Sequence, residues 1–206
     1  MKSLFIAFEG IDGSGKSTHV RLLADHLNAL GHRVHCTAEP TRRPAGALIR
    51  DIFAGRQHAD QHVIAALFAA DRLDHLLNAE DGMIQLLQSG TTVITDRYHL
   101  SSYAYHGAHV DMNWVMELNR VAADLRRPDI TIYLDVKPEV SMERIRSGRQ
   151  TTELYETLSN LQAVYRHYDE AMTRLISREH IVRIDGSGEQ ATVARLIREA
   201  VSEMLD

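Results

Sequence analysis

Residues 3–18 read SLFIAFEGIDGSGKST: an apolar run of strand length, Ser3 to Phe8, that passes directly into Gly10-Ile11-Asp12-Gly13-Ser14-Gly15-Lys16-Ser17. The second part fits the pattern G-x-x-x-x-G-K-[ST]. Glycines at these places let the backbone curl tightly around an anion without Cβ clashes. The loop N–H groups then point inward, and the helix that follows adds its positive N-terminal end. In this pattern Lys16 reaches the β- and γ-phosphates of a nucleoside triphosphate, and the Ser17 hydroxyl holds Mg²⁺. Gly10, Ile11, Asp12, Gly13, Ser14, Gly15, Lys16, Ser17 and Thr18 are therefore the expected triphosphate cradle. The motif does not say what is done with the triphosphate. An Asn-Lys-x-Asp base-recognition motif, expected of a GTPase, is missing from the sequence.

Outward from this loop, strand-length apolar runs alternate with helical patterns. Lys16 to Leu30 carries Val20, Leu23, Leu27 and Leu30 at helical spacing, and Gly31 stops it. Strands are expected at Arg33–Thr37, Thr91–Thr95, Ile130–Leu134 and Ile181–Ile184. Helices are expected at Pro44–Phe53, Asp60–Glu80, Gly82–Gln88, Met112–Leu125, Pro138–Ser147, Glu153–Ser177 and Glu189–Leu205. Such alternation implies parallel strands with right-handed crossovers. The fold class is thus α/β, a P-loop arrangement with a five-stranded parallel sheet flanked by helices. All 206 residues form one domain. Residues 146–152, RSGRQTT, are the most loop-like stretch between two helices and are the expected lid.

Composition narrows the partners. Lys and Arg total 23 against 28 Asp and Glu, a formal charge of −5, so the chain lacks the basic face of a nucleic-acid binder. No run approaches the ~18 apolar residues of a membrane span. The N-terminal MKSLFIAFEG lacks the apolar core and cleavage site of a signal peptide, and the single Cys36 fits a reducing compartment. These features predict a cytoplasmic protein that binds neither nucleic acid nor membrane. His58 and His62 are spaced i, i+4 like a metal pair, but no Cys/His cluster completes a zinc site.

Three further segments follow FEGIDGSGKST in order: AEPTRRPAGALIR, LFAADR, and VITDRYHLSSYAYHG with its TDRY and S-x-x-A-Y elements. Together they closely resemble thymidylate kinase, and the resemblance is densest before His106. It implies transfer of the ATP γ-phosphate to dTMP with Mg²⁺, giving dTDP for dTTP synthesis, in a homodimer.

The resemblance also implies roles residue by residue. Phe68 stacks on thymine, and Arg72, one helical turn on, hydrogen-bonds a base carbonyl. Alone, Phe68 reads as a core residue and Arg72 as a surface ion pair. Asp96 ends a strand, where doubly wound folds bind ligands, and holds the metal with Ser17. Arg97 grips the acceptor phosphate, for which a planar guanidinium suits bidentate contact. Ser102 faces the base with Ser101 beside it, and Tyr105 crowds the sugar 2′ carbon. Asp12 binds the 3′-hydroxyl. Glu39-Pro40 leads into Thr41, as in archaeal-type members, and Glu39 either touches substrate or holds the loop. A Tyr-acid pair, Tyr168-Asp169, reaches metal and substrate in some relatives.

Some members place an arginine at the position of Gly13 to neutralise the transferring phosphoryl group. Here that cation has to come from the lid, with Arg149 the first choice over Arg144 and Arg146. The catalytic set is then Lys16, Arg97 and Arg149. Two other readings stay open on the sequence: a kinase for another pyrimidine monophosphate such as dUMP, and a nucleotide-binding regulator with a decayed site.

Overall fold

A computed structural model describes residues 2–148 and 157–205. Its centre is an all-parallel sheet of β1 (Phe5–Glu9), β2 (Val34–Ala38), β3 (Thr92–Asp96), β4 (Ile130–Asp135) and β5 (Ile181–Asp185), in the order β2-β3-β1-β4-β5. All five residues of β1 are buried, because the strand is central and covered on both faces. Its alternation still sorts the layers. Leu4, Ile6 and Phe8 face α1 (Lys16–Ala29) and α10 (Gln190–Ser202). Phe5 and Ala7 face the layer containing α3 (Gln61–Leu77) and α4 (Met83–Gln88). The chain leaves β1 at the point where the strand order reverses, so its C-terminal loop opens into the ligand crevice of this class of sheet.

The expected strands and most helices form with ends shifted by a few residues. Asp60 caps α3, its carboxylate accepting from the His62 N–H at 2.8 Å. α9 (Leu158–Leu175) starts later than its hydropathy pattern suggests, where Thr157 accepts from the Asn160 N–H at 3.3 Å. α8 (Pro138–Gly148) takes in residues 146–148, so the first part of the expected lid is helical. Arg149 and the rest of that segment lie outside the described residues.

Two differences bear on the site. The segment 112–125 is two helices, α6 (Met112–Leu118) and α7 (Arg120–Leu125), parted at Asn119. The buried Asn119 turns its carboxamide to the Val115 carbonyl at 2.8 Å and to Arg72. Residues 99–107, where hydropathy periodicity marks no element, form α5 (His99–Gly107). His99 through His106 are all buried, so over those residues the helix has no solvent-exposed face. It packs on α9 on one side and on α3 on another.

Candidate active site

The loop between β1 and α1 is built as its glycines require. Gly10, Gly13 and Gly15 have φ of 139°, 76° and 95°. A Cβ on Gly13 would lie 2.6 Å from the Ser141 carbonyl oxygen of α8, so no side chain fits there. The Ser141 hydroxyl donates to the Asp12 carbonyl at 2.6 Å and fastens α8 to the loop. The Lys16 ammonium is buried on the carbonyls of Gly10 and Ile11, at 3.0 and 2.9 Å. Burial and the neighbouring Arg97 push its pKa down to about 8, against the pull of Asp96, Asp12 and Glu9. Ser17, at the start of α1, donates its hydroxyl to Asp96 at 2.6 Å. These are two hard oxygen ligands side by side at the helix N-terminus, which fits Mg²⁺ shared with phosphate and water.

β3 delivers Asp96 and Arg97. Arg97 is the only non-glycine with a left-handed φ, 74°, among the described residues. That backbone turn sends its guanidinium over the loop. There it donates to Asp12 at 2.5 Å, to the Gly10 carbonyl at 3.2 Å and to the Ser101 hydroxyl at 3.0 Å. The Tyr105 hydroxyl accepts from Arg97 at 3.2 Å and donates to the Asp12 carboxylate at 2.7 Å. Burial works to raise the Asp12 pKa, but Arg97 and Lys16 outweigh it and hold the carboxyl below its usual range.

A cavity of about 470 Å³ opens beside this cluster. Its wall brings together Asp12, Glu39, Phe68, Arg72, Arg97, Ser101, Ser102 and Tyr105, every acceptor-site residue named from the sequence. Phe68 stands between the rings of Phe53, 5.9 Å away, and His106, 4.9 Å away. Arg72 is no surface ion pair. It is buried, and donates to Glu39 at 2.9 and 2.6 Å, to the Ser102 hydroxyl at 3.0 Å and to Asn119. The Tyr98 ring lies 5.2 Å from the same guanidinium. Glu39 uses its second oxygen on His75 at 3.2 Å, so its carboxylate is taken up in holding Arg72. Arg72 and His75 keep that carboxyl ionised against the effect of burial.

Other expectations separate here. Tyr168 reaches into the site and Asp169 does not: the Tyr168 hydroxyl lies 3.2 Å from the Gly10 carbonyl, whereas Asp169 pairs with Arg183 at 2.7 Å. Arg144 is bound to the Gly186 carbonyl at 3.1 Å and ties α8 to the loop after β5. Arg146 is exposed on the last turn of α8.

Several residues of the site carry no sequence motif. Glu9 is fully buried under the loop, Asn119 accepts from Arg72, and His75 bonds the Glu39 carboxylate that holds Arg72. His106 is buried in the cavity wall with no hydrogen-bond partner for Nδ1 among the described residues. Burial, with Arg72 and His109 nearby, pushes its pKa down to about 3 and keeps it neutral. A charged residue inside an apolar run, as Glu9 is in LFIAFEG, is the one signal that marks any of these in advance.

The family model described as thymidylate kinase matches residues 8–197. The chain is 34% identical over 203 residues to a protein of Methanococcus aeolicus named probable thymidylate kinase, covering 98% of this chain and 96% of that one. It is 36% identical over 202 residues to a putative thymidylate kinase of Aeropyrum pernix, covering 98% and 93%. A probable thymidylate kinase of Pyrobaculum aerophilum is 38% identical over 202 residues, covering 98% and 97%.

Proposed function

The chain belongs to the thymidylate kinase family, and from that premise we propose how its residues carry out the reaction. The enzyme is an ATP:dTMP phosphotransferase that binds ATP and dTMP and yields dTDP. The observation that carries the residue assignment is the single cavity wall on which Arg72 and Ser102 stand with Arg97 and Asp12, beside the phosphate loop. One nucleotide monophosphate reaches both groups of residues. Its base meets Arg72, Ser102 and the Phe68 ring, and its phosphate meets Arg97.

The acceptor needs no general base. A phosphate monoester has a second pKa of ~6 and is largely dianionic at neutral pH. One of its oxygens attacks the γ-phosphorus of ATP, the new P–O bond forms, and the bond to the β–γ bridging oxygen breaks to release ADP. Residues 10–18 cradle the donor phosphates, and Lys16 and Arg97 neutralise charge at fixed positions. Ser17 and Asp96 hold Mg²⁺, which when bound adds charge neutralisation on the donor phosphates. Position 13 is glycine and supplies no cation, and Arg149 is assigned as the lid cation on its place in the loop-like stretch of the sequence. A cation of that kind is worth ~10³–10⁵ in rate.

A homodimer in the cytoplasm completes the reading. The inner face of α3 covers the sheet, but Val63, Ala66, Ala70 and Leu77 are exposed along its outer face at spacings of three, four and seven. Trp114, Val121 and Leu125 are exposed on α6 and α7, which pack against α3. Small and apolar residues at that spacing suit a helix seam between two copies. Among the described residues no helix is long and apolar enough to cross a membrane.

The test is ADP release from ATP·Mg²⁺ with dTMP, dUMP, UMP, dCMP, dGMP, AMP or thymidine as acceptor. Preference for dTMP is expected, with Arg97→Ala raising the acceptor KM and Arg149→Ala lowering kcat by at least ~10³-fold. Preference for another monophosphate overturns the pocket assignment, and an unchanged kcat in Arg149→Ala overturns the lid assignment.

A further inference from the structure

We propose that Glu9 is a positioning residue for the acceptor site: from the end of β1 it caps α5 in place of a local side chain and thereby fixes Arg97. The proposal rests on the reading of Arg97 as the ligand of the acceptor phosphate.

Glu9 lies outside the G-x-x-x-x-G-K-[ST] pattern and is fully buried. A carboxylate in that position requires donors for its lone pairs. Oε1 accepts from the Tyr98 N–H at 2.9 Å and the Ser101 N–H at 3.0 Å. Oε2 accepts from the Ser101 hydroxyl and from the Tyr168 hydroxyl, the latter at 3.0 Å. Three of these four donors belong to the turn into α5. The first N–H groups of a helix have no partner within it, and the third is the usual target of a capping oxygen. In α5 the cap position is Tyr98, which makes no side-chain cap bond, and the third residue is Ser101. Glu9 supplies that oxygen from a neighbouring strand, 92 residues away in sequence.

The residue next to this cap is Arg97, whose left-handed backbone is unfavourable for a residue with a Cβ. Three contacts hold the turn. The Arg97 N–H donates to the Phe8 carbonyl at 2.9 Å, the Thr95 hydroxyl donates to the Arg97 carbonyl at 2.8 Å, and Glu9 takes the next N–H, that of Tyr98. Glu9 acts on the side chain as well. The Ser101 and Tyr168 hydroxyls, both bonded to Oε2, lie 3.0 and 3.4 Å from Nη1 of Arg97. Glu9 thus holds the peptide N–H that follows Arg97 and two of the hydroxyls against which its guanidinium rests. Lys16 donates its hydrogen bonds to loop carbonyls and Ser17 to Asp96, so Glu9 reaches these residues only through the smallest of the charge effects on Lys16.

Three variants separate reach from charge. Glu9→Gln keeps the length and the oxygen that accepts both N–H groups. Glu9→Asp keeps the charge but is one methylene too short, and Glu9→Ala removes the cap. The KM for dTMP and for ATP and the kcat are measured for each, with a thermal melt. The KM for dTMP is expected to rise at least tenfold in Glu9→Ala and Glu9→Asp and less in Glu9→Gln. The KM for ATP is expected to stay within twofold. An unchanged dTMP KM in Glu9→Ala overturns the proposal, as does a parallel rise in both KM values. Wild-type behaviour of Glu9→Asp beside a tenfold defect in Glu9→Gln overturns it too, by making charge the agent. If Glu9→Ala does not fold, the Gln and Asp variants decide. Failure of the dTMP reading shows first in the wild type, and the preferred acceptor then replaces dTMP in the same comparison.

Discussion

Arg72 and Glu39 are both buried, and neither is tolerable without the other. The guanidinium is shared among Glu39, Ser102 and Asn119, and Glu39 has His75 on its other oxygen. A buried pair of this kind often adds little over an apolar pair, but removing one partner strands the other charge at a cost of about 3–5 kcal/mol. Arg72→Met is therefore expected to lower unfolding stability by roughly that amount in urea titration and to raise the KM for dTMP. Adding Glu39→Gln should restore stability while leaving the KM defect, so stability and base recognition separate in the double variant. Lys16 gives a pH prediction. Its pKa is brought down to about 8, so the free enzyme loses the loop's positive charge as pH rises through that value. Affinity for ATP, followed by fluorescence titration of the free enzyme, should be full below pH 8 and fall above it. A flat profile from pH 7 to 9.5 would place the Lys16 proton elsewhere. These two arginine and lysine positions were legible before the structure because each falls in a short motif. The residues that complete the buried Arg72–Glu39 pair, Asn119 on Arg72 and His75 on Glu39, fall in none, since hydrogen bonds between distant segments leave no local pattern.

Among elements, strands and amphipathic helices were readable and α5 was not. Period-3.6 hydropathy reports a helix with one wet face, and HLSSYAYHG has none because its walls are α9, α3 and the loop itself. This buried helix nonetheless carries Ser101, Ser102 and Tyr105, whose order was legible only as a family motif. The break between α6 and α7 escaped for a related reason. Asn119 is an ordinary helix residue by pattern, and only its bonds to Val115 and Arg72 end one helix and start the next. The phosphate loop is the opposite case, since its backbone demands are written in glycines. Gly13 has a left-handed φ and the Ser141 carbonyl where a Cβ would go. Gly13→Ala is expected to destabilise the fold by more than the ~1 kcal/mol of backbone strain, because α8 has to move off the loop. It should also lower kcat/KM for ATP. A melt within a degree of wild type and unchanged kinetics would show that the loop and α8 are not tightly joined.

At the scale of the whole molecule, α3 serves two surfaces at once. Phe68, Arg72 and His75 point from its inner side toward the cavity and Glu39, while Val63, Ala66, Ala70 and Leu77 lie exposed on its outer side. The outer stripe is small and apolar rather than charged, which on a helix whose inner side already covers the sheet calls for a second cover. The sheet layer supplies one cover, and a second copy supplies the other under the dimer reading. A two-fold axis along α3 would set its outer stripe against its own equivalent, as an isologous contact requires. The two small residues Ala66 and Ala70 would then stand at the closest approach of the helices. In that arrangement a charge at Ala70 would face a like charge from the other copy with little room between the helices. Ala70→Glu is thus expected to convert a dimer to a monomer in light scattering after size exclusion, with little change in the melt of the monomer fold. If Ala70→Glu keeps the wild-type mass, the α3 stripe is not the seam. If wild type is itself a monomer at micromolar concentration, the dimer reading fails for this chain while the single-cavity reading of the acceptor site stands, because Asp12, Phe68, Arg72, Arg97, Ser102 and Tyr105 already meet in one wall within a single copy.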